Sequence, residues 1–177
     1  MIGDLSQSFG VASARYTAFR PEYPPSVYDF LTNNLSGERT VAVELGAGSG
    51  QATRRLAEIF DKVIAVEPDK RLAGEGDFAD NVIVQVVAAE DADVPAGSAN
   101  AVVSATAFHW MDQPLTCKRA AQWLRPGGVF FPFAFDVFQF EGEAQKFFTA
   151  EFEKWRPYRD PRLDDNYNYA EILNETG

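Results

Sequence analysis

Short, mostly apolar runs alternate with longer amphipathic stretches along most of this chain. The runs lie at 41–45, 63–66, 82–87, 101–104 and 129–135, and such runs are typical of buried parallel strands. Apolar positions at helical spacing predict helices over 25–35, over 51–60 and from about 112 to 124, and a further helix is predicted to begin at Pro68 and Asp69. Strands and helices in alternation predict an α/β fold, with a doubly wound, mostly parallel sheet and helices on both faces.

The last forty or so residues have a different character. A helix is predicted over 143–155, with an aromatic face, and a short helix over 170–175. We therefore divide the chain into a domain at 1–135 and an aromatic helical tail or cap at 136–177. An aromatic stripe of this kind most often packs into a core, but it could also roof an apolar ligand.

The first apolar run leads directly into a glycine-rich turn. Gly46, Gly48 and Gly50 follow the run, and a helical pattern begins at Gln51. Glycines allow positive φ and let a ligand approach the main chain, at the carboxyl end of the strand. In a dinucleotide fingerprint a third glycine would stand at Gln51. Alternating glycines also occur in turns of unrelated domains, so the downstream residues must decide.

An acidic residue ends the second apolar run. Glu67 stands 21 residues after Gly46, where an acid of a βαβ unit accepts hydrogen bonds from ribose hydroxyls. The alternative is that Glu67 caps the helix begun by Pro68 and Asp69. Its position relative to the glycines favours the ribose role.

Composition and charge narrow the function classes. The 177 residues fit one domain, and a net charge of -10 argues against a nucleic-acid partner. No stretch is apolar enough to span a membrane and no signal peptide is visible. A single cysteine, Cys117, indicates a reducing compartment and hence a cytoplasmic protein. With one histidine and one cysteine, no metal centre is expected.

Six motifs together resemble a known family. They are YxxxRPxYP at 16–24, VELGAGSG at 43–50, VEP at 66–68, AAE at 88–90, AFHWMD at 107–112 and LRPGG at 124–128. Their order and spacing resemble class I S-adenosylmethionine-dependent methyltransferases acting on small molecules, particularly the branch of trans-aconitate methyltransferase. The resemblance implies a Rossmann-like fold and S-adenosylmethionine as cofactor.

The resemblance also implies roles for individual residues. Cofactor contacts are expected from Glu44, Gly46, Ala47, Gly48, Gly50, Glu67, Pro68, Ala89, Glu90, Ser104 and Ala105. Contacts to the acceptor are expected from Tyr16, Arg20, His109 and Trp110. Many relatives have Asp or Asn where this chain has Ala88, which removes one expected contact to adenine.

Two of these assignments have alternatives. The segment with Tyr16 and Arg20 is either a prolyl lead-in to the next helix or a lid that presents the Arg20 charge to an anionic ligand. His109 is the candidate catalytic residue, because a hydroxyl acceptor needs a general base, whereas a carboxylate acceptor is already ionised. Otherwise His109 orients its loop through a hydrogen bond to a carbonyl group.

The sequence thus predicts methyl transfer to a carboxylate or hydroxyl oxygen of a small molecule. One alternative is a catalytically inactive regulatory protein that still binds S-adenosylmethionine or a nucleotide, and a less favoured one is a nicotinamide-dependent oxidoreductase. The family's final antiparallel hairpin is not readable here, so we expect either a truncated chain or a dimer or other partner that covers an exposed sheet edge.

Overall fold

The computed structural model describes residues 22–135, 140–158, 160–162 and 168–176. Tyr16 and Arg20 lie outside the described residues, so their predicted roles stay predictions. The strands are β1 Val41–Leu45, β2 Lys62–Val66, β3 Val82–Gln85, β4 Ala99–Ala105 and β5 Leu124–Phe133. The helices are α1 Pro25–Asn33, α2 Gln51–Ile59, α3 Lys70–Glu75, α4 Gln113–Trp123, α5 Gly142–Trp155 and α6 Tyr169–Thr176. Short 3-10 turns lie at Ala89–Asp91, Phe108–Trp110 and Arg156–Tyr158.

The strands form one parallel sheet in the order β3-β2-β1-β4-β5. This confirms the predicted α/β fold with five strands. Because β1 is central, the chain crosses first to one side of it and then, with β4, to the other. A ligand crevice forms at such a reversal, outside the carboxyl ends of the strands.

Alternating side chains of the strands divide the core into two layers. Ala42 of β1 lies in a cluster with Leu31 of α1 and Leu56 of α2. Val43 points to the other side, into a cluster with Trp123 of α4. Since both faces of β1 are covered, an apolar run rather than an alternating pattern is what the sheet requires.

The last two strands begin earlier than predicted. β4 begins at Ala99 instead of residue 101, and β5 spans Leu124–Phe133 instead of 129–135. Ala99 pairs with Leu124 directly after α4, with a register irregularity before Ala101. A Cβ atom at Gly128 would lie only 3.0 Å from the Ala99 carbonyl oxygen. Glycine therefore lets the chain pass through the irregularity and continue as a strand.

Several helix and strand ends also differ from prediction. α1 ends at Asn33, because the side-chain amide of Asn34 donates to the Phe30 carbonyl (2.8 Å) and closes the last turn. β3 ends at Gln85, two residues before the predicted end at residue 87. The Gln85 side chain forms two hydrogen bonds with the backbone of Asp93. α3 begins at Lys70 with Asp69 as its N-cap, close to the predicted start.

The aromatic tail helix does not enter the core. α5 has no buried residue, and Phe147 and Trp155 are 71% and 64% exposed. The interpretation of its aromatic stripe as core is therefore wrong for the described residues. Phe148 instead contacts Phe140 and Phe152 of the same segment, at ring-centroid distances of 5.2 and 6.0 Å.

Candidate cofactor-binding site

The glycine turn is bound to the end of the neighbouring strand. The backbone N–H groups of Gly46 and Ala47 both donate to the Val66 carbonyl, at 2.8 and 3.0 Å. Gly46, Gly48 and Gly50 have φ of +73°, +59° and +91°, which is the region that glycine adopts without strain. The turn thus has the conformation that its sequence predicts.

The turn is closely packed at both ends and open in its middle. A Cβ atom at Gly46 would lie 2.4 Å from the Cβ of Ala107, and one at Gly50 would lie 2.6 Å from the ring of Phe78. At Gly48 the nearest atom would be 4.0 Å away. The backbone at Gly48 is therefore the part of the turn that a ligand could approach.

Glu67 faces this open backbone from the carboxyl end of β2. Its Oε2 accepts the Gly48 N–H at 2.8 Å, and its Oε1 accepts the Asp69 N–H at 2.9 Å. The residue is only 7% exposed, and burial raises the pKa of its carboxyl group. The side chain that caps α3 is Asp69, which accepts from Arg71 N–H. The N-cap residue of α3 is therefore Asp69, although Glu67 also accepts the N–H of that cap residue. Pro68 is exposed between Glu67 and Asp69, and its predicted contact to the cofactor stays a prediction.

Glu44 is the second buried acid of the site, at the penultimate position of β1. It is 1% exposed, and its Oε2 accepts the Thr53 hydroxyl of α2 at 2.6 Å. Burial, with a smaller contribution from the negative charge of Glu67, raises the pKa of Glu44 to about 8. Its carboxyl group therefore contacts α2, and its predicted contact to the cofactor stays a prediction.

The expected adenine-side residues form a junction between two loops. Ala89 is buried and begins a 3-10 turn, where the first N–H groups have no partner within the turn itself. Glu90 Oε1 accepts the N–H of Asp112, 2.7 Å away. Asp112 in turn caps α4 by accepting from Leu115 N–H at 3.1 Å. Glu90 therefore has a structural partner at the start of α4.

The end of β4 approaches the turn from the other side. Ser104 is fully buried and donates to the Leu45 carbonyl at 3.0 Å, which links β4 to β1. The Ala105 carbonyl accepts from the Tyr23 hydroxyl at 3.1 Å. Thr106, which follows, has φ of +54°. Neither Tyr23 nor Thr106 was among the predicted site residues, although Tyr23 belongs to the YxxxRPxYP motif.

His109 and Trp110 contact the tail of the chain. His109 is 2% exposed, and its Nδ1 lies 3.0 Å from the Tyr169 hydroxyl of α6. The guanidinium of Arg162 lies 4.9 Å from the centre of the Trp110 ring and pairs with Asp160 at 2.8 Å. Sequence reasoning missed these tail residues, because no motif connects them with the turn at Phe108–Trp110.

Two further findings concern metal-ligating clusters and membrane-spanning helices in the described part of the chain. No group of three or more His, Cys, Asp or Glu side chains there could hold a metal ion. No helix in the same residues has both the length and the apolar character needed to cross a bilayer.

A family model described as a methyltransferase domain matches residues 43–131. The chain belongs to the methyltransferase domain family. The matched residues run from β1 through most of β5 and include Glu44 and Glu67. This confirms the resemblance to class I S-adenosylmethionine-dependent methyltransferases, while the trans-aconitate branch stays a prediction.

Individual relatives agree with this family. A Dictyostelium discoideum protein assigned as a methyltransferase is 32% identical over 171 residues, which is 92% of this chain and 65% of that protein. An uncharacterized methyltransferase of Mycobacterium tuberculosis is 37% identical over 129 residues, which is 71% of this chain and 51% of the relative. The chain thus spans about half to two thirds of the length of these relatives.

Solved structures show the same fold. A protein of Anaeromyxobacter dehalogenans assigned as a type II methyltransferase has a TM-score of 0.67 and 30% identity, over 76% of this chain and 57% of its own. A Methanococcus maripaludis protein has a TM-score of 0.65 over 97% of this chain and 83% of its own. Since the second is only 17% identical, it supports the fold alone.

Proposed function

We propose that this methyltransferase domain binds S-adenosylmethionine at the glycine turn and serves methyl transfer to an oxygen atom of a small-molecule acceptor. The observation that carries the proposal is the buried Glu67 carboxylate beside the open backbone of Gly48. The two lie at the carboxyl ends of neighbouring strands, where ligands bind in open α/β sheets.

The residues present fit such a cofactor. Glu67 would accept hydrogen bonds from the ribose hydroxyls, and the turn would take the methionine portion against the backbone of Gly48. The N–H of Ala89 would meet the adenine ring. When bound, S-adenosylmethionine supplies an electrophilic methyl group on a sulfonium centre. The protein's own contribution is to orient the reactants and exclude water.

A carboxylate acceptor is better supported than a hydroxyl acceptor. His109, the only histidine of the chain, is buried and bonded to Tyr169, which favours an orienting role over that of an exposed general base. A carboxylate is ionised at neutral pH and needs no base. Tyr16 and Arg20 would complete the acceptor pocket, with Arg20 pairing with the acceptor's negative charge.

Calorimetric titration with S-adenosylhomocysteine tests the cofactor. We expect the wild-type protein to bind it and not to bind NADH. Glu67→Gln should weaken binding about tenfold or more, because hydrogen bonds to a charged group are lost. The matched control is Glu58→Gln, whose carboxylate is exposed on α2 and paired with Arg55; it should bind like wild type. Failure of the wild type to bind, or equal binding by Glu67→Gln, would contradict the proposal.

Acceptor identity is then tested by a transfer assay. Small carboxylic acids and matched alcohols are incubated with the protein and S-adenosylmethionine, and methylated product is measured by mass spectrometry. We expect product from acids rather than alcohols. Exclusive methylation of alcohols would contradict the preference for a carboxylate.

A further inference from the structure

We infer that Tyr23 is a positioning residue for the glycine turn: its hydroxyl holds Thr106 in the left-handed conformation that places Ala107 against Gly46. The inference goes beyond the proposed function by naming the contacts that keep the turn in its binding conformation. It rests on the proposed function only where its test uses cofactor binding.

Tyr23, two residues before α1, is held in place by aromatic contacts. It is 7% exposed, and its ring stacks on Phe135 (centroids 4.9 Å apart, 15° between planes) and meets Phe133 edge-on (5.0 Å, 85°). The hydroxyl oxygen lies 3.1 Å from the Ala105 carbonyl oxygen and 3.0 Å from Thr106 Oγ1. Because the ring is fixed by two aromatic contacts, the hydroxyl is presented to the end of β4 in one place.

Thr106 is in a conformation that its own chemistry disfavours. Its φ is +54°, and within the described residues it is the only non-glycine with positive φ. A β-branched side chain is strained in this region, and such strain persists only when the surroundings enforce it. Two hydrogen bonds do so here: the one to Tyr23, and the one from Thr106 N–H to the Phe133 carbonyl at 2.7 Å.

The conformation of Thr106 determines where the next residue lies. Ala107 packs closely on Gly46: a Cβ atom added at Gly46 would lie 2.4 Å from the Cβ of Ala107. The Cε atom of Met111, at the end of the same loop, would lie 3.4 Å from the Cβ atom added at Gly46. A change of φ at Thr106 would move Ala107 and release the first glycine of the turn. The contacts therefore connect Tyr23, through Thr106 and Ala107, with Gly46.

The test compares Tyr23→Phe in two backgrounds. Titration with S-adenosylhomocysteine should show about tenfold weaker binding for Tyr23→Phe, since the strained residue loses one of its two restraints. In Thr106→Gly the loss caused by Tyr23→Phe should shrink to about twofold or less, because glycine adopts positive φ without support. A tyrosine that acts independently of Thr106 would give the same loss in both backgrounds, and that result would overturn the inference.

The matched control is Ser36→Ala. Ser36 also donates a hydroxyl hydrogen bond to a distant backbone carbonyl, that of Gly127 at 3.1 Å, but it does so at the opposite end of the sheet. The affinity of Ser36→Ala for S-adenosylhomocysteine should be within twofold of the wild-type affinity. Tyr23→Phe binding within the same limit would overturn the inference.

A second readout needs no cofactor. Amide hydrogen exchange, followed by NMR, should be at least about fivefold faster at Thr106 and Ala107 in Tyr23→Phe than in wild type, and unchanged there in Ser36→Ala. If the wild type fails to bind S-adenosylhomocysteine, the proposed function fails and exchange alone decides the inference. Unchanged exchange at both amides would then overturn it.

Discussion

Replacing Glu44 by Gln should remove most of the pH dependence of folding between about pH 5 and 8. The Glu44 carboxyl group is 1% exposed, and burial raises its pKa from 4.5 to about 8. Between these two values the folded chain holds a proton that the unfolded chain releases. The free energy of unfolding must therefore fall as pH rises through this interval.

The magnitude follows from the two pKa values. A difference of one in pKa corresponds to 1.36 kcal/mol, so a rise from 4.5 to about 8 corresponds to at most about 5 kcal/mol. That is a large part of the ~5–15 kcal/mol by which domains are stable. The raised pKa of Glu67 acts in the same direction. The pKa of Asp69 is lowered from 3.8, mainly by its hydrogen bonds with Arg71, so its effect falls below this pH range.

Urea unfolding of wild type and Glu44→Gln from pH 5 to 9, followed by circular dichroism, measures the effect. The glutamine amide can still accept the Thr53 hydroxyl, and its buried NH₂ group lowers stability by the same amount at every pH. The stability of Glu44→Gln relative to wild type should therefore rise with pH, by several kcal/mol at most.

The control is Glu58→Gln, whose carboxyl group is exposed on α2 and should leave the pH dependence of wild type unchanged. Parallel curves for Glu44→Gln and wild type across the whole range would refute the reasoning, because Glu44 would then be ionised in the folded protein.

Three further outcomes are expected. Gly46→Ala should lose about 1–3 kcal/mol more stability than Gly97→Ala in chemical denaturation: both glycines have positive φ, but only the new Cβ at 46 meets an atom at 2.4 Å, while nothing lies within 4 Å at 97. Equal losses would contradict the close packing. Ser104→Ala should lose about 1 kcal/mol with its hydrogen bond to the Leu45 carbonyl, and an unchanged unfolding midpoint would count against that bond. His109→Gln should keep turnover of a carboxylate acceptor within about tenfold, whereas a loss of about a hundredfold or more would identify a general base.

The part of the site that could be predicted is the part built by neighbours in sequence. The apolar run at 41–45 is β1 with the predicted bounds, and Gly46, Gly48 and Gly50 all have positive φ. Local sterics decide such features, because only glycine enters this region freely. The position of Glu67 follows in the same way: the apolar run at 63–66 forms β2, and Glu67 is the residue directly after it.

The rest depends on contacts between distant residues. No pattern in the sequence indicates that His109 Nδ1 lies 3.0 Å from the hydroxyl of Tyr169, sixty positions later. The predicted place of His109 beside an acceptor stays a prediction. The left-handed conformation of Thr106 has no signal in its own residue type, since it is enforced by Tyr23 and by the Phe133 carbonyl. A periodic pattern carries no information about such pairings. The sequence therefore predicts where these residues stand in the chain, but not which distant residues they contact.

Glu44 and Glu67 show how environment, rather than residue type, divides roles within the site. Glu67 accepts two backbone N–H groups, which stabilise a negative charge. The hydrogen bond that Glu44 accepts comes from a neutral hydroxyl, and the charge of Glu67 opposes its ionisation. Burial raises the pKa of both carboxyl groups, and at Glu67 the two backbone N–H groups oppose that rise. The surroundings of Glu67 at the open part of the turn therefore favour an anion more than those of Glu44, whose pKa of about 8 favours the protonated form at neutral pH.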